Sequence, residues 1–315
     1  MRKALILVST GAVALLAQSG SSPVRLREAS GVVRQGSNLL IVDDSDVGAY
    51  YRVAWKKPAS PLIDLNAQKP ERVRLKSRNL GVDLESIDLM NDGRVALLSE
   101  RLRSLVSDGG VIAEYDSELA ETGKRGLEGV AIRALEDGAS QVAVLWEGGY
   151  PDFGMIAPAR QRSVFKPLVV VHNVPRDAKV GRVRLKDAPR TVELDVPRPA
   201  GDEPQAQRFR APDLRWYPVR EGGVTRWGFI VLLSSQNGLA RPEFQYKWLQ
   251  RFDADGRRVG EPLDLGRYLP KNLMSANWEG LAWMEFGVSM LLVHEEDPGM
   301  PPHALLLDLP PDWRF

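Results

Sequence analysis

The chain has 315 residues, of which 43% are hydrophobic and 26% are charged, and its formal net charge is +1. This composition is typical of a globular protein rather than a disordered one, and the near-neutral charge gives no electrostatic basis for binding nucleic acid. Because the sequence has no cysteine, disulfides, thiolate metal sites and lipid attachment at cysteine are excluded, so stability must come mainly from core burial.

The N-terminal segment has the three parts of a secretory signal. Arg2 and Lys3 precede an apolar run over residues 4–17, and small polar residues follow at 18–22. The apolar run is interrupted at 9–11 and is shorter than the roughly 20 residues that a transmembrane helix needs. We therefore predict a signal peptide over residues 1–19 and a single domain over 23–315. The mature chain is expected to be a periplasmic or secreted monomer without a membrane span.

One unit recurs along the rest of the chain. A short segment with an acidic or small residue leads through a glycine turn to an apolar run that ends in a polar or acidic residue. Short apolar runs bounded by glycine turns are typical of strands buried on both faces, and repeats of about 40 to 60 residues indicate propellers or solenoids. The five copies, in chain order, are 29–32 with 39–44, 84–87 with 95–100, 127–130 with 142–147, 212–215 with 229–234, and 278–281 with 290–295.

Further strand-like segments lie between the copies, at 168–173, 183–185, 191–196 and 246–252. They complete the blades, and the fold class that the sequence predicts is all-β, a single β-propeller of about five blades. The long interval from Glu128 to Asp213 leaves a sixth blade open. The last apolar segment, 304–309, is expected to pair with a strand near the mature N-terminus and close the ring, which would protect the sheet edges.

The repeat also places acidic residues together. In an antiparallel hairpin, the start of the first strand and the end of the second lie at the same end. The acids expected to gather near the axis in this way are Glu85 with Glu100, Glu128 with Glu147, and Glu279 with Glu295 or Glu296, and Asp43, Asp44 and Asp213 can join them.

Crowded carboxylates raise one another's pKa, bind a cation or are neutralised by arginine. A hard divalent ion such as Ca²⁺ takes oxygen ligands and needs neither cysteine nor histidine. The candidate metal ligands are Glu85, Glu128, Glu279, Glu295 and Asp43, and the candidate counter-charges are Arg101, Lys124 and Arg125. The alternative is that each glutamate accepts hydrogen bonds from backbone amides of the next blade and only fixes its position.

Several of these strings resemble a known group of propellers. Residues 83–87 (DLESI) with 98–101 (LSER), and 126–131 (GLEGVA), are similar to the repeated signature of the "esterase-like activity of phytase" propellers and of the SdiA-regulated propellers. Residues 30–33 with 40–46 resemble the first blade of those proteins. The resemblance implies a secreted propeller with a polar axial mouth, credited in some members with ester or phosphoester hydrolysis. Calcium-dependent lactonase propellers carry a comparable Glu-Gly as a metal ligand, which corresponds to Glu128 and Glu279.

Two functions follow as hypotheses. In the first, the chain is a phytase-like, metal-assisted hydrolase of a small anionic ester or phosphoester, in which the ion activates substrate or water and arginine pairs with substrate charge. The candidate residues are Glu100, Glu147 and Arg101 for catalysis, and Lys124, Arg125 and His294 for substrate binding.

In the second hypothesis the chain is a non-enzymatic binding or scaffold propeller for a periplasmic partner. The loops 150–166 and 197–212, with the aromatic pair Trp216 and Tyr217, are then candidates for the contact surface. The sequence contains no zinc motif with two histidines on one helical turn, no phosphate-binding glycine loop and no Gly-x-Ser-x-Gly elbow. Familiar catalytic motifs therefore do not choose between the two.

Overall fold

The computed structural model describes residues 24–115, 126–147, 166–176, 181–183, 190–197, 209–235, 246–296 and 300–315. Across these ranges the chain is all-β, and its helical segments are short 3₁₀ turns. The predicted signal peptide, the loop residues 150–165 and 198–208, and the candidates Lys124 and Arg125 lie outside the described residues.

Twenty-one strands occur in the described residues. In chain order they are β1 (Ala29–Gln35), β2 (Asn38–Asp43), β3 (Ala49–Ala54), β4 (Leu62–Asp64), β5 (Glu71–Arg74), β6 (Leu84–Leu89), β7 (Val95–Ser99), β8 (Ser104–Ser107), β9 (Gly110–Tyr115), β10 (Leu127–Ala134), β11 (Ser140–Trp146), β12 (Leu168–Val174), β13 (Gly181–Val183), β14 (Arg190–Glu193), β15 (Phe209–Glu221), β16 (Val224–Ser235), β17 (Lys247–Phe252), β18 (Arg258–Asp264), β19 (Trp278–Glu285), β20 (Ser289–His294) and β21 (His303–Asp308).

The strands form five sheets, which are the blades of a β-propeller. From the axis outwards they are β1-β2-β3-β5, β6-β7-β8-β9, β10-β11-β12-β14, β15-β16-β17-β18 and β19-β20-β21-β4, and β13 adds a parallel edge to β9. The inner strands β1, β6, β10, β15 and β19 pack side by side around the ring. The predicted five-bladed propeller is confirmed. The interval that left a sixth blade open instead supplies β12, β13 and β14, and the described residues contain no sixth blade.

The ring closes through a strand from near the start of the domain. β21 pairs antiparallel with β4, with His303 opposite Asp64 and Leu305 opposite Leu62. The predicted closing role of 304–309 is confirmed, and its partner lies between β3 and β5 in the chain. The last blade therefore combines three C-terminal strands with one N-terminal strand, which ties the two ends of the domain together.

The hydrophobic core is divided among the five interfaces between neighbouring blades. Alternate residues of one strand serve two interfaces: Ile230 and Leu232 pack against the last blade, whereas Phe229 and Val231 pack against the third blade. Each blade is therefore covered on both faces by its two neighbours. This is the physical reason that the runs in the sequence are continuously apolar rather than alternating.

A β-bulge interrupts each inner strand near its start. The pairing register shifts at 29/31, 84/86, 127/129, 210/213 and 278/280. The residue after the bulge lies where neighbouring inner strands approach most closely. A Cβ atom added to Gly31 would lie 2.7 Å from Cα of Ser86, and one added to Gly280 would lie 3.0 Å from Cα of Gly31. Glycine at these positions therefore permits the close approach of the strands.

An ion pair fills the axis just beyond the bulges. The guanidinium of Arg215, which is 3% exposed, donates hydrogen bonds to the carbonyl oxygens of Val32 and Val130, both at 2.8 Å, and to the carboxylate of Asp213 at 2.9 Å. The other carboxylate oxygen of Asp213 accepts from the Leu281 amide at 2.7 Å. The Ser86 hydroxyl also donates to Asp213, at 3.4 Å, so this group contacts all five blades. It places Asp213 inside the axis rather than among the acids of the mouth.

We expect Gly31→Ala to lower the free energy of unfolding by about 1–3 kcal/mol, because the new methyl group would overlap backbone atoms that cannot move independently. The matched control is Gly109→Ala on an exposed turn, where the nearest atom to the added Cβ is 3.7 Å away. That change should stay within about 0.5 kcal/mol. Urea denaturation measures both, and equal losses would show that the axis is less crowded than described.

Candidate functional site

Acidic residues surround one end of the axis, here called the mouth. In four blades, the residue after the second strand donates its amide to the carbonyl of the residue before the first strand. These four bonds are Asp44 to Glu28 at 3.0 Å, Glu100 to Asp83 at 3.0 Å, Glu147 to Gly126 at 3.3 Å and Glu295 to Asn277 at 3.2 Å. The bulge in three of the same blades carries Glu85, Glu128 or Glu279. The repeat therefore brings carboxylates to the mouth from both strands of three of the five inner hairpins.

The pairs expected from the sequence do lie together. Asp83, Glu85 and Glu100 each place a carboxylate oxygen within 4.8 Å of the others. Glu295 lies near enough to Glu279 to raise the pKa of the Glu279 carboxyl, after the larger effect of burial. Glu128 and Glu147, which belong to the same hairpin of the third blade, both lie next to the guanidinium of Arg210. The gathering of these acids is confirmed, while their assigned roles stay predictions.

Arg210 lies at the start of β15. Its guanidinium donates to the Glu147 carboxylate, donates to Glu279 at 2.9 Å and lies 3.7 Å from Glu128. The pKa of Arg210 is held well above its usual value because the three carboxylates outweigh its burial. One side chain from the fourth blade thus balances acids from the third and fifth blades.

Sequence reasoning missed Arg210. It lies three residues before Asp213, and the matching residues of the other blades are Glu28, Asp83, Gly126 and Asn277. The apolar position of this blade is held by the buried Ala211. A cation where two other copies have an acid was the available signal, and it was hard to see because the fourth copy is the weakest one.

A second cation lies deeper. Lys247 begins β17, is fully buried and pairs with Ser234 of β16. Burial first, and then the charge of Arg210, lower the pKa of its ammonium group to about 7, although Glu279 opposes the shift. Lys247 is therefore a variable counter-charge near neutral pH rather than a permanent one.

Several acids of the mouth have raised pKa values. Burial raises the pKa of Glu100 to about 7, with additional repulsion from Asp83 and Glu147. Burial likewise raises the pKa of Asp44 to about 9, and the neighbouring carboxyl of Glu28 adds to the effect. For Glu85 and Glu279, burial is again the main cause of a raised pKa. Arg210 alone does not balance the mouth.

The donor set fits a hard divalent cation. Two groups of three carboxylates have oxygens within 4.8 Å of one another: Asp83, Glu85 and Glu100, and Glu28, Asp43 and Asp44. Oxygen-only donors of this kind suit Ca²⁺.

In the group of Glu28, Asp43 and Asp44, hydrogen bonds already occupy some of the carboxylate oxygens. Asp43 accepts from the Arg27 amide at 2.6 Å and from the amide and hydroxyl of Ser45. Oδ1 of Asp44 is buried and, within the described part of the chain, has no hydrogen-bond partner. An oxygen with no donor is a natural ligand for a cation.

Two other predicted site residues have clear positions. Arg101 is exposed on the turn after β7. His294 is fully buried: its Nε2 accepts from the His303 amide at 3.2 Å, and its Nδ1 donates to the Glu295 carbonyl. Burial lowers the pKa of His294 to about 4, so the ring is neutral at pH 7. Both ring nitrogens position the backbone beside the mouth, and a contact of His294 with substrate remains a prediction.

The aromatic pair considered for partner binding belongs to the core. Trp216 Nε1 donates to the Ala131 carbonyl at 3.1 Å, and the Tyr217 hydroxyl donates to the Trp313 carbonyl at 2.9 Å. Both side chains are buried. In the described residues, no helix has the length and apolar character needed to span a membrane.

Replacing Arg210 with methionine should destabilise the protein by about 3–5 kcal/mol, because three buried carboxylates would lose their counter-charge. Adding Glu147→Gln to Arg210→Met should recover part of the loss. The control is Arg52→Met, which breaks an ion pair with 40% and 68% exposed side chains and should cost less than about 1 kcal/mol. Chemical denaturation compares the four proteins, and similar losses for the two single variants would contradict the assigned role.

No protein-family model and no curated protein matches the chain. Among solved structures, it is similar to the crystal structure of selenomethionine-substituted virginiamycin B lyase from Staphylococcus aureus, with 9% sequence identity and a TM-score of 0.36 over 90% of this chain and 85% of that chain. A likeness of this degree says nothing about the chemistry of this chain. Its membership among β-propellers, with five blades, follows from its own strand pairing.

Proposed function

We propose that the mouth binds a hard divalent cation, Ca²⁺ being the first candidate, and that the loaded mouth hydrolyses a small anionic ester or phosphoester. The observation that supports it best is the cluster of Asp83, Glu85 and Glu100, whose oxygens lie within 4.8 Å of one another. The resemblance to phytase-like and SdiA-regulated propellers points to the same class of substrate, and the predicted signal peptide is consistent with a periplasmic or secreted setting.

Charge is the reason that a cation belongs in this proposal. Acids from four blades surround the mouth, whereas the buried cations that the described residues supply there are Arg210 and Lys247. An anionic substrate would be repelled by the uncompensated carboxylates. A bound divalent ion would reverse the local potential, and when bound it would polarise a substrate oxygen or lower the pKa of a water molecule.

In this proposal some residues bind the ion, and others fix the orientation of the acids that bind it. Asp83, Glu85 and Glu100 hold the cation, and Asp83 has the left-handed backbone angle φ of 57° that aspartate tolerates better than most residues. Gly126 leaves the space in which the Glu100 carboxylate lies, since a Cβ there would overlap it.

Glu147 stays the predicted general base, because Glu100 is assigned here to the ion. Its contact with Arg210 fixes its direction. Glu128 and Glu279 complete the ligand set or stay paired with Arg210. Arg101 lies exposed next to Glu100 and, with Lys124 and Arg125, is assigned to substrate charge. His294 is buried and neutral, so its part in this proposal is to orient the backbone beside the mouth.

The first test is cation binding. Calcium sites of extracellular modules have dissociation constants of about 10⁻⁴–10⁻³ M, so 10 mM Ca²⁺ should raise the melting temperature of the wild-type chain measurably. Glu85→Gln should lose most of this rise. Glu71→Gln, which changes a side chain that is 68% exposed, should keep it. No rise in the wild type, or an equal rise in Glu85→Gln, would overturn the cation site.

The same proteins then test catalysis. A panel of phosphoesters and lactones is assayed with Ca²⁺ and with a chelator, and turnover is expected only with Ca²⁺. Glu85→Gln and Glu128→Gln should reduce kcat/KM at least tenfold. If Ca²⁺ binds but no substrate turns over, hydrolysis is ruled out for this panel and the chain is better described as a binding or scaffold propeller.

Calcium binding should strengthen as the pH rises from 6 to 8. The pKa values of Glu100, about 7, and Asp44, about 9, are raised, so the free protein holds protons there that the cation must displace. The rise in melting temperature caused by 10 mM Ca²⁺ should therefore be larger at pH 8 than at pH 6. Taking the difference with and without Ca²⁺ at each pH cancels the titration of distant groups, and a larger rise at pH 6 would contradict the prediction.

A further inference from the structure

A second cleft opens between the third and fourth blades, at the end of the propeller opposite the mouth. Arg133 is paired with Gln141 near the far end of the β10–β11 hairpin, five residues beyond Glu128 in the chain. The cleft has a volume of about 420 Å³, within the range of small-molecule sites. Its polar lining includes Arg133, Gln141, Asn173, Arg190, Arg226 and Asp255.

The guanidinium of Arg133 is held in a fixed orientation. Its Cζ lies 5.1 Å from the ring centre of Trp216 and 5.0 Å from that of Trp227. Its Nε and Nη2 donate to Oε1 of Gln141 at 2.9 and 2.6 Å, and Gln141 in turn donates to Asn173 at 3.1 Å. Two indoles and one amide therefore fix the plane of the guanidinium.

One part of this guanidinium is left for a ligand. Nη1 of Arg133 has no hydrogen-bond partner in the ranges that the structure covers. Arg133 is only partly buried, and it lines the cleft. A negatively charged oxygen in the cleft would accept a charge-assisted hydrogen bond from Nη1.

The charge of the lining also favours an anion. Arg190 donates to Asp255 at 3.0 Å, so these two charges offset each other. Arg226 is exposed and makes no ion pair with any described residue. Asp255 is the one acid among the described lining residues, which carry three arginines. The lining is therefore left with two positive charges.

We propose that this cleft binds a small organic dianion, a dicarboxylate or a phosphate monoester. Arg133 and Arg226 are the groups that meet its oxygen atoms. Arginine suits this task because its planar fork matches carboxylate and phosphate geometry and because it stays charged. The cleft shares no residue with the acidic mouth, and its assignment does not depend on the function proposed for the mouth.

Isothermal titration calorimetry with succinate and with inorganic phosphate tests this site, and succinamide serves as the neutral analogue of succinate. Saturable binding of at least one dianion is expected, with no binding of succinamide. Arg133→Met should weaken the affinity at least tenfold and Arg226→Met about threefold or more. The matched control is Arg94→Met, a partly exposed arginine on the neighbouring blade that pairs with Asp92, and it should bind as the wild type does.

Arg226→Met keeps the test informative if Arg133→Met folds poorly, because Arg226 is exposed and its replacement leaves the packing intact. Glu85→Gln, which changes the mouth, shows at which of the two sites the dianion binds. Unchanged dianion binding in this variant supports the cleft. Four results would overturn the proposal: no binding of either dianion, equal binding of succinamide, affinities of both cleft variants equal to that of Arg94→Met, or loss of binding in Glu85→Gln.

Discussion

The close approach of five inner strands around one axis is the constraint on which the rest of the structure depends. Where the strands come nearest, an added Cβ at Gly31, Gly129 or Gly280 would lie 2.7 to 3.0 Å from a backbone atom of the next blade. Only a compact group fits inside such a ring, and the Asp213–Arg215 pair occupies it. The bulges place Glu85, Glu128 and Glu279 at the mouth, beside this filled layer.

Charge balance at the mouth follows from this crowding. Carboxylates from different blades meet in a poorly solvated space, and one guanidinium, Arg210, contacts three of them. The acids that Arg210 does not reach, including Glu85, Glu100 and Asp44, have raised pKa values because burial and like charge both disfavour ionisation. Buried acids of this kind are stable either when protonated or when a cation is bound. The mouth is therefore a candidate cation-binding site as well as a structural feature of the propeller.

The third blade has opposite chemistry at its two ends. The start of β10 carries Glu128 into the acidic mouth, and its end carries Arg133 into a cationic cleft. Glu128 is buried beside Arg210, whereas Arg133 is partly exposed and lies against Trp216 and Trp227. The rigid sheet between them holds two sites of opposite charge at a fixed separation.

The sequence by itself determined the fold class, the inner hairpins and the acids that they bring together, because strand pairing within a hairpin is local and its register follows from spacing. Glu85 with Glu100 is the clearest instance. Interactions between blades were decided only by the tertiary structure, since they depend on how the sheets pack and where the ring closes. Arg210 and Lys247 at the mouth and Arg133 between Trp216 and Trp227 belong to that second group, because each joins segments that no repeat spacing relates. Closure of the ring by the last strand was predicted from the sequence, but the tertiary structure identified its partner as β4.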